Sequence, residues 1–410
     1  MRKVDVVVVG AGQAGLATSY HLSQRGIEHV VLERGRVAES WRSKRWDSFA
    51  LNAPSWTFQL PGYAYSGPEP DAFMLRDELV KEFTDYALLI DAPVEEGVEV
   101  TKVSRNGAVY QLDTSAGAIS AHAVVAATGA YQRRNRPATR ISEHIVQLNT
   151  DEFRNAAKLP TGGVHVIGSG QSGCQVAEDL RDCGRDVWLA AGSCGWIPRR
   201  YRGRDNVTWR WEMGMFDDTV EKLGHAMRLA CPPIQTGVDN GRDINLSTLR
   251  SRGIVVTGRF VSADGYNLSF ADDLQRNAEG SDHAAIDIRN RIDSFIAERG
   301  LDVPDPEPFE PAGDFQCAPT LLNLRDLGIN TVVWATGFRL DFSWIDLDLE
   351  TKDGYPEQTR GVSPHRGLYF MGLQLMHTRK SGLIFGVGED AEHVCSVIAR
   401  QLRLVQPSDT

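Results

Sequence analysis

The sequence lacks any long uninterrupted run of apolar residues. No stretch approaches the ~18 residues that a membrane-spanning helix needs, so we expect no transmembrane segment. The first residues, Met1-Arg2-Lys3, lead directly into an apolar run, and we therefore expect no signal peptide. The six cysteines are scattered and form no Cys-x-x-Cys pair, a pattern typical of free thiols in a reducing cytoplasm. We therefore expect a cytoplasmic protein that does not associate with membranes.

Positive charge and metal-ligand patterns are also scarce. Lys and Arg together number 44 against 54 Asp and Glu, and the net charge of −10 argues against a nucleic-acid partner. The ten histidines and six cysteines show no zinc-type spacing, so we predict no metal site, and no Gly-x-Ser-x-Gly nucleophile motif is present. With 410 residues, 42% of them hydrophobic, the chain is expected to form two globular domains.

The most informative stretch opens the chain. Residues 6–9 are a short β-branched run, which predicts a buried strand, and apolar residues recur at helical spacing over about 13–25. A Gly-x-Gly-x-x-Gly motif lies between them, and a second strand, residues 29–32, ends at the acid Glu33. This order is the dinucleotide-binding fingerprint. It predicts a nucleotide site that contains Gly10, Gly12, Gln13, Ala14, Gly15 and Glu33.

Each part of the fingerprint has a physical task. Gly10 permits the tight turn, Gly12 lets a pyrophosphate approach the backbone, and Gly15 lets the helix pack close to the strand. The helix N-terminus offers N–H groups to the phosphates, and Glu33 can accept hydrogen bonds from a ribose. The alternative is a glycine turn without a ligand.

The same pattern returns in the middle of the chain. A predicted strand over 163–167 leads into a second motif, which is followed by a helix to about Cys183 and a strand over 186–190. Two copies in the same context predict two dinucleotide sites, or two halves of one ancestral fold. The residues assigned to the second site are Gly168, Gly170, Gln171, Ser172 and Gly173.

The second copy differs from the first at its acidic position. Ala191 stands eighteen residues after the last glycine, where the first copy has Glu33. An acid there repels a 2′-phosphate, so its absence favours NADPH over NADH. Ser193 and the basic residues Arg199 and Arg200 are the predicted phosphate ligands. The alternative for the basic residues is a solvated loop.

Two further predicted strands end in the same three residues. The strand over 123–128 ends at Ala127, Thr128 and Gly129, and the strand over 331–338 closes on Ala335, Thr336 and Gly337. A strand over 368–371 and a helix over about 390–404 are assigned to the first domain. We therefore predict an α/β protein of two dinucleotide-binding, Rossmann-like three-layer domains. Residues 1–150 and 338–410 form the first domain, and residues 151–337 form the second, which is inserted into the first.

The segment 205–330 is less informative. Residues 206–215 are rich in Trp and Met and are predicted to be core, the alternative being the wall of a substrate pocket. Strands are predicted around Asp264-Gly265. Apolar spacing predicts a helix over 282–299 and, in the first domain, another over 71–86.

The two glycine motifs, the segment that holds Trp41-Arg42 and Trp46-Asp47, and the paired Ala-Thr-Gly ends together resemble class B flavoprotein monooxygenases, and among them the YUCCA-like flavin-containing monooxygenases. In that family the first fold holds FAD and the second holds NADPH. The resemblance implies an enzyme in which reduced FAD meets dioxygen and forms a flavin peroxide. This peroxide then oxygenates a small-molecule substrate, by N- or S-oxygenation or by Baeyer–Villiger insertion. A homodimer is left open.

The resemblance also assigns roles to single residues. Asn52 stands where animal flavin-containing monooxygenases use an asparagine near the flavin, although it could equally be a turn residue. The N-terminus of the last helix, with Asp390, is expected to face the flavin ring, the alternative being that its acids only complement the helix dipole. His377 and Arg379 are expected at the flavin edge or at an anionic substrate, although a lone histidine is often structural. The remaining FAD contacts are assigned to Arg34, Trp41, Arg42, Trp46 and Val100.

Three other functions fit parts of the sequence. A pyridine-nucleotide disulfide reductase needs a cysteine pair beside the flavin, but Cys174 and Cys183 lie about 13 Å apart along one predicted helix, too far for a disulfide. An FAD-dependent NADPH oxidase or dehydrogenase that transfers no oxygen is the main alternative. A non-catalytic nucleotide sensor would show no NADPH turnover.

Overall fold

The computed structural model describes residues 2–403, so the predicted end of the last helix at residue 404 lies outside the described residues. The helices of the described part are α1 (Gln13–Ser23), α2 (Glu39–Ser43), α3 (Arg76–Leu89), α4 (Gln171–Asp182), α5 (Asn206–Glu212), α6 (Val220–Leu223), α7 (Leu246–Ser251), α8 (Leu274–Arg299) and α9 (Val387–Arg403). The strands as far as the second glycine motif are β1 (Arg2–Val9), β2 (His29–Glu33), β3 (Gln59–Leu60), β4 (Tyr63–Ala64), β5 (Val94–Glu96), β6 (Val100–Asn106), β7 (Val109–Thr114), β8 (Ile119–Ala126), β9 (Arg133–Arg134), β10 (Arg140–Ile141), β11 (Val146–Asn149) and β12 (Gly163–Ile167). The later strands are β13 (Val187–Ala190), β14 (Arg200–Tyr201), β15 (Arg204–Asp205), β16 (Val255–Thr257), β17 (Phe260–Gly265), β18 (Asn267–Phe270), β19 (Leu321–Asn323), β20 (Ile329–Trp334), β21 (Phe338–Arg339), β22 (Thr351–Lys352), β23 (Tyr355–Pro356) and β24 (Leu368–Phe370).

The first sheet contains seven strands. Its parallel part runs in the order β5-β2-β1-β8. The first half of β8 pairs with β7 of the antiparallel β6–β7 hairpin, and its second half pairs in parallel with β24. Val6, Val7 and Val8 are fully buried, as expected for a parallel strand that is covered on both faces. Helix α9 packs against α1, which joins the end of the described chain to the first glycine motif.

The second sheet contains five parallel strands in the order β11-β20-β12-β13-β16. In sequence, all of them lie between β8 and β24 of the first sheet. Both β10 and β11 pair outside the first sheet, although the predicted boundary at residue 150 had placed them in the first domain. The short strands β9 and β21 pair where the chain leaves the first sheet and where it returns.

The segment 205–330 supplies three of the four strands of a third sheet. Strands β10, β17, β18 and β19 form a four-stranded sheet, which confirms the strands predicted around Asp264-Gly265. Helix α8 is 26 residues long and begins eight residues before the predicted start at 282. The early part was missed because Gly280 interrupts the apolar spacing, yet it lies inside the helix in open space.

Helix α3 also differs from its prediction, since it begins at Arg76 and not at residue 71. The residues before it are extended, because the N–H of Leu51 donates to the carbonyl of Met74 and Leu75 forms a β-bridge with Ala50. The Glu78 carboxylate accepts a hydrogen bond from the N–H of Leu75 and closes the start of the helix. Within residues 2–403, no helix combines the length and the apolar character that crossing a bilayer requires.

Candidate nucleotide-binding sites

The first glycine loop lies between β1 and α1 and is tightly packed on one side. Gly10 has a φ of +107°, and a Cβ atom there would lie 2.6 Å from the carbonyl oxygen of Ala127. A Cβ atom at Gly15 would collide with the carbonyl oxygen of Gly10. The predicted tasks of these two glycines therefore match the geometry. Ala127, Thr128 and Gly129, which directly follow β8, form the wall of the loop.

The other side of this loop is open. No protein atom lies within 4 Å of the position that a Cβ atom would take at Gly12, the residue that caps α1. Because Gly12 has no side chain that could cap the helix, the first N–H groups of α1 remain available to a phosphate. Glu33 is fixed at the end of β2, where its carboxylate accepts hydrogen bonds from the N–H groups of Ala11 and Gly35, each at 2.9 Å.

Of the other predicted FAD contacts, Gln13 and Trp41 lie together. The Gln13 amide donates to the carbonyl of Gly382 at 2.9 Å and accepts a hydrogen bond from the Trp41 indole at 3.4 Å. The Nε atom of Arg42 is buried and has no hydrogen-bond partner in the described residues, so it is a donor to which a ligand could bind. Trp46 differs from its prediction, because only 3% of it is exposed and it packs edge-on against Phe49. It supports the fold and offers little surface to a cofactor.

The remaining predicted contacts surround the same loop. A Cβ atom at Gly372, which follows β24, would lie 2.7 Å from the Cβ of Ala14. The N–H of Val98 donates to the carbonyl of Glu33, which brings the start of β6 at Val100 to the end of β2. Arg34 is exposed beside them.

The second glycine loop, between β12 and α4, repeats the packing of the first. Gly168 has a φ of +110°, and a Cβ atom there would lie 2.5 Å from the carbonyl oxygen of Ala335. A Cβ atom at Gly173 would collide with the carbonyl oxygen of Gly168. Thr336 and Gly337 follow Ala335 in the chain, and the Thr336 hydroxyl donates to the carbonyl of Asn135 at 2.6 Å. The two Ala-Thr-Gly ends therefore make the same contact in both folds.

The open side of the second loop differs from that of the first. Both polar groups of the Gln171 side chain bond to the backbone of Gln235, which draws residues 231–235 across the start of α4. Ser172 is half-buried beside it. Ser193 is exposed in the loop after β13, and the N–H of the preceding Gly192 donates to the Ser169 hydroxyl at 3.0 Å.

The predicted phosphate ligands Arg199 and Arg200 are bonded to the protein. Only 2% of Arg199 is exposed, and its guanidinium pairs with Asp205 at 2.6 Å and donates to the carbonyl of Asn52 at 2.9 Å. The Arg200 guanidinium donates to the carbonyls of Asn240 and Gly241, each at 2.7 Å. The predicted role of Arg199 is therefore corrected to that of a buried ion pair, which links the second domain to the Asn52 turn.

The carboxamide of Asn52 forms no hydrogen bond with any of the described residues, although its backbone holds Arg199. At the start of α9, Asp390 is 2% exposed and pairs with Arg360 at 3.3 Å, so this acid is buried and does not simply face solvent at the helix end. Its second carboxylate oxygen is buried without a partner in the described residues.

The loop that holds His377 and Arg379 is paired with the second domain. The carbonyl of His377 accepts the N–H of Val220 at 2.8 Å, and the N–H of Arg379 donates to the carbonyl of Asp218 at 2.9 Å. The Arg379 guanidinium donates to the carbonyl of Met215 at 3.2 Å and faces the Asp218 carboxylate. Arg379 thus has protein partners, and its predicted catalytic contact gains no support from them.

An aromatic cluster, which the sequence analysis did not assemble, lies between the two domains. Its members are Trp56, Trp211, Phe216 and Phe385, with neighbouring ring centroids 4.9–6.5 Å apart. The Arg210 guanidinium lies 4.6 Å from the ring of Phe216. Among the described residues, none forms an ion pair or a hydrogen bond with that guanidinium. Burial, followed by the charges of Arg379 and Arg199, lowers the pKa of Arg210 to about 10.

The Trp- and Met-rich stretch is therefore partly core and partly exposed. Trp209 is fully buried, whereas Trp211 is 40% exposed within the aromatic cluster. The only signal for Arg210 in the sequence was its position between two tryptophans.

The sequence also did not indicate that Cys194 and Cys231 come into contact, which they do beside Gly170. In the described part of the chain, no three His, Cys, Asp or Glu side chains are grouped as a metal site would require.

A family model described as pyridine nucleotide-disulphide oxidoreductase matches residues 7–271, a span that includes both glycine loops. The chain belongs to this family. A relative of this chain is an uncharacterized CzcO-like oxidoreductase from Geobacillus kaustophilus, 30% identical over 401 residues that cover 96% of this chain and 98% of the relative. A probable indole-3-pyruvate monooxygenase of the YUCCA group from Arabidopsis thaliana is 24% identical over 96% of this chain and 86% of its own length.

Solved structures share the fold. A flavin-containing monooxygenase from Stenotrophomonas maltophilia has a TM-score of 0.65 at 20% identity, covering 98% of this chain and 100% of its own. A bacillithiol disulfide reductase from Staphylococcus aureus has a TM-score of 0.64 at 14% identity, covering 99% and 100%. The structure of OTEMO in complex with FAD and NADP has a TM-score of 0.57 at 15% identity, covering 98% and 86%.

These comparisons confirm three predictions. The chain is an oxidoreductase, it has the α/β fold with two Rossmann-like folds, and it is related to the YUCCA-like flavoprotein monooxygenases. The cysteine pair that a disulfide reductase requires is not formed by Cys174 and Cys183, because the first is buried and the second is exposed at the other end of α4.

Proposed function

We propose that the chain is an FAD- and NADPH-dependent monooxygenase of small molecules. The observation that carries this proposal is the repeated loop geometry. Gly10 against Ala127 and Gly168 against Ala335 build two equivalent phosphate turns in one chain. Two nucleotides in one oxidoreductase give a route for electrons from a nicotinamide to a flavin.

FAD is assigned to the first fold. The open space at Gly12 can admit a pyrophosphate, and Glu33 is held where a ribose would lie. The unpartnered Nε of Arg42 is a donor for the phosphate side of the cofactor. Asn52 offers a carboxamide that no described residue engages, so it can serve the flavin ring.

NADPH is assigned to the second fold. The position of the acid in the first copy is taken by Ala191, which is fully buried and neutral. The exposed hydroxyl of Ser193 lies in the loop where a Rossmann fold recognises the ribose substituent. A 2′-phosphate would therefore meet a hydrogen-bond donor and no negative charge at this loop.

The substrate is assigned to the aromatic cluster. Trp56 and Phe385 reach it from the first domain, near Asn52 and the start of α9, and Trp211 and Phe216 reach it from the second. Arg210 packs on Phe216 and contributes a positive charge that forms no ion pair within residues 2–403. This chemistry suits a small aromatic molecule with an acidic group, and the YUCCA relatives are named for a substrate of that kind.

When bound, reduced FAD would supply the electrons that activate dioxygen, and one oxygen atom would go to a nitrogen, to a sulfur, or into the bond between a carbonyl carbon and the neighbouring carbon. The residues of the chain position and enclose the reactants. Lys380 joins the two domains, since its ammonium lies 2.6 Å from both Asp217 and Glu389. This bridge and the pairing of residues 377–380 with residues 216–220 hold the second domain over the start of α9 and limit access of water.

The test is an isotope experiment on purified protein loaded with FAD. The protein is incubated with NADPH, ¹⁸O-labelled dioxygen and a panel of aromatic carboxylic acids, amines, sulfides and ketones. A product that carries one labelled oxygen atom per NADPH consumed supports the proposal. Release of all reducing equivalents as hydrogen peroxide, with every substrate, would identify an NADPH oxidase. Absence of NADPH turnover would indicate a nucleotide sensor.

A further inference from the structure

Two cysteines meet at the second nucleotide fold, although they are 37 residues apart in the sequence. The Sγ atoms of Cys194 and Cys231 lie 2.8 Å apart. Cys194 is half-buried and Cys231 is exposed, so small reagents can reach the pair. The pair plays no part in the proposed electron route.

Backbone contacts fix the two segments that hold these cysteines. The N–H of Ile234 donates to the carbonyl of Gly195 at 2.8 Å, and a parallel β-bridge joins Trp196 to Ile234. Each segment therefore has a backbone anchor within three residues of its cysteine. A bond between the sulfur atoms would need little movement of the chain.

The position of the pair matters for the nucleotide. The Sγ atom of Cys231 lies 3.3 Å from the point that a Cβ atom would take at Gly170, the residue that precedes α4. In a dinucleotide fold this N-terminus receives the pyrophosphate. Cys194 follows Ser193 in the loop after β13, and this loop contacts the glycine loop, since the N–H of Gly192 donates to the Ser169 hydroxyl at 3.0 Å.

The two thiols are chemically unequal. The hydrogen bond from Cys194 lowers the pKa of the Cys231 thiol, burial opposes this shift, and the N–H of Gln171 adds to it. The pKa of Cys194 is raised by the same hydrogen bond and by burial. Cys231 is also the more exposed of the two, so we assign it as the thiolate that attacks first and Cys194 as the thiol that resolves the product.

We propose that Cys194 and Cys231 are a redox-active dithiol that hydroperoxides convert to a disulfide, and that this disulfide closes the nucleotide cleft of the second fold. In the first step the Cys231 thiolate attacks a peroxide oxygen; an S–O bond forms, the O–O bond breaks, and hydroxide leaves and takes up the proton that the thiol lost. In the second step Cys194 attacks the sulfenic sulfur, the S–S bond forms and water leaves. The two thiols lose two electrons, and one H₂O₂ becomes two water molecules. Two equivalents of a small thiol reverse the change.

The effect on nucleotide binding follows from the geometry and rests on the proposed function, in which NADPH occupies this cleft. A pyrophosphate at Gly170 must displace the Cys231 sulfur, which lies beside that glycine. Separate thiols allow this displacement, whereas a bond to Cys194 ties Cys231 to the loop after β13. We expect the dissociation constant of NADP⁺ to rise at least about tenfold on oxidation, which corresponds to about 1.4 kcal/mol.

The experiment uses FAD-loaded protein treated with a slight excess of H₂O₂ and then with a thiol-blocking reagent. Peptide mapping by mass spectrometry is expected to show a Cys194–Cys231 disulfide that a small thiol removes. NADP⁺ binding is measured by calorimetry on reduced, oxidised and re-reduced samples. Binding should weaken on oxidation and recover on reduction.

The matched variants are Cys194→Ser, Cys231→Ser and, as the control, Cys183→Ser, which removes an exposed thiol at the end of α4. Cys194→Ser should accumulate a sulfenic acid at Cys231 that a dimedone probe labels. Neither Cys194→Ser nor Cys231→Ser should lose NADP⁺ affinity on oxidation, whereas the control should behave as the unsubstituted chain. Free thiols at both positions after peroxide treatment would overturn the proposal, and so would a disulfide that leaves NADP⁺ affinity unchanged. Failure of the reduced protein to bind NADP⁺ would instead overturn the assignment of NADPH, with the disulfide still detectable by mass.

Discussion

The carbonyl oxygen of Ala335 lies 2.5 Å from the place that a Cβ atom would take at Gly168. The equivalent distance in the first fold, from the carbonyl of Ala127 to Gly10, is 2.6 Å. In both folds the strand that ends in Ala-Thr-Gly approaches the first glycine so closely that no side chain fits. The repeated tripeptide and the repeated glycine motif are therefore two halves of one contact.

Replacing Gly168 with alanine should damage the second fold and spare the first. The new Cβ would meet the Ala335 carbonyl while φ is +110°, so we expect a loss of about 2–4 kcal/mol in stability and a rise of at least about tenfold in the KM for NADPH. FAD content, measured by absorbance, should stay near that of the unsubstituted protein. Gly10→Ala is the reciprocal variant and should lose FAD. If Gly168→Ala and Gly10→Ala lost FAD equally, the assignment of one nucleotide to each fold would be contradicted.

Gly12 offers a test that separates folding from cofactor binding. The protein leaves the space around its Cα empty, and its φ of −88° suits alanine, so Gly12→Ala should fold with an unchanged melting temperature in the FAD-free form. A pyrophosphate at this loop would meet the new methyl group. FAD affinity should therefore fall by at least about tenfold, or about 1.4 kcal/mol. Normal FAD affinity in a folded Gly12→Ala protein would place the cofactor elsewhere.

Both nucleotide folds could be predicted from the sequence because their signals are local. Each glycine motif lies between a strand and a helix that its own residues specify, and α4 and β12 match their predicted bounds to within one residue. The predicted start of α3 was wrong because a tertiary contact holds the preceding residues extended. The carbonyl of Met74 accepts a hydrogen bond from the N–H of Leu51 on a neighbouring segment.

The parts that the sequence did not predict depend on distant partners. Arg199 resembled a phosphate ligand because basic residues surround it in sequence, but Asp205 and the Asn52 carbonyl bury it. The approach of Cys194 to Cys231 joins two irregular loops, and neither hydrophobic periodicity nor motif spacing indicates such a contact. The unpaired state of Arg210 could be recognised only after the aromatic rings around it were placed.

The preference for NADPH can be tested at Ser193. An aspartate there would place a negative charge where the 2′-phosphate is assigned, so Ser193→Asp should lower kcat/KM for NADPH by about 10–100-fold and leave that for NADH nearly unchanged. Steady-state kinetics with both nucleotides provides the measurement. Ser193→Ala is the control. It should lose only the hydrogen bond, so its kcat/KM for NADPH should fall by about tenfold or less. Equal effects of the aspartate on both nucleotides would argue against a 2′-phosphate at this loop.

His165 gives the fold a dependence on acid. It is fully buried in β12 and stacked on Phe270, and burial lowers its pKa from 6.5 to about 3. Below pH 6.5 the unfolded chain therefore binds a proton that the folded chain does not. Stability falls as pH decreases toward 3, by up to about 1.4 kcal/mol per pH unit.

His165→Phe removes this dependence. Neither ring nitrogen has a hydrogen-bond partner in the described residues, so a phenyl ring loses no hydrogen bond. The gain in unfolding free energy over the unsubstituted protein should grow as pH falls from 7 to 4, as followed by urea denaturation. His144→Gln, at an exposed position, is the control and should leave the curve unchanged. Parallel stability curves for His165→Phe and the unsubstituted protein would show that His165 is not buried in its neutral form.

Arg210 tests the assignment of the substrate. Its guanidinium packs on Phe216 without an anion, so a carboxylate on the substrate would gain a charge-assisted hydrogen bond of about 1.5–3 kcal/mol. Arg210→Met should raise KM for aromatic carboxylates by about 10–100-fold, with kcat and the KM for neutral substrates little changed. Arg210→Lys should recover part of the loss. Arg204→Met is the matched control, because Arg204 also packs on an aromatic ring, that of Trp209, but already pairs with Glu212 at 2.9 Å. If Arg210→Met raises KM equally for charged and neutral substrates, the residue shapes the pocket without binding an anion.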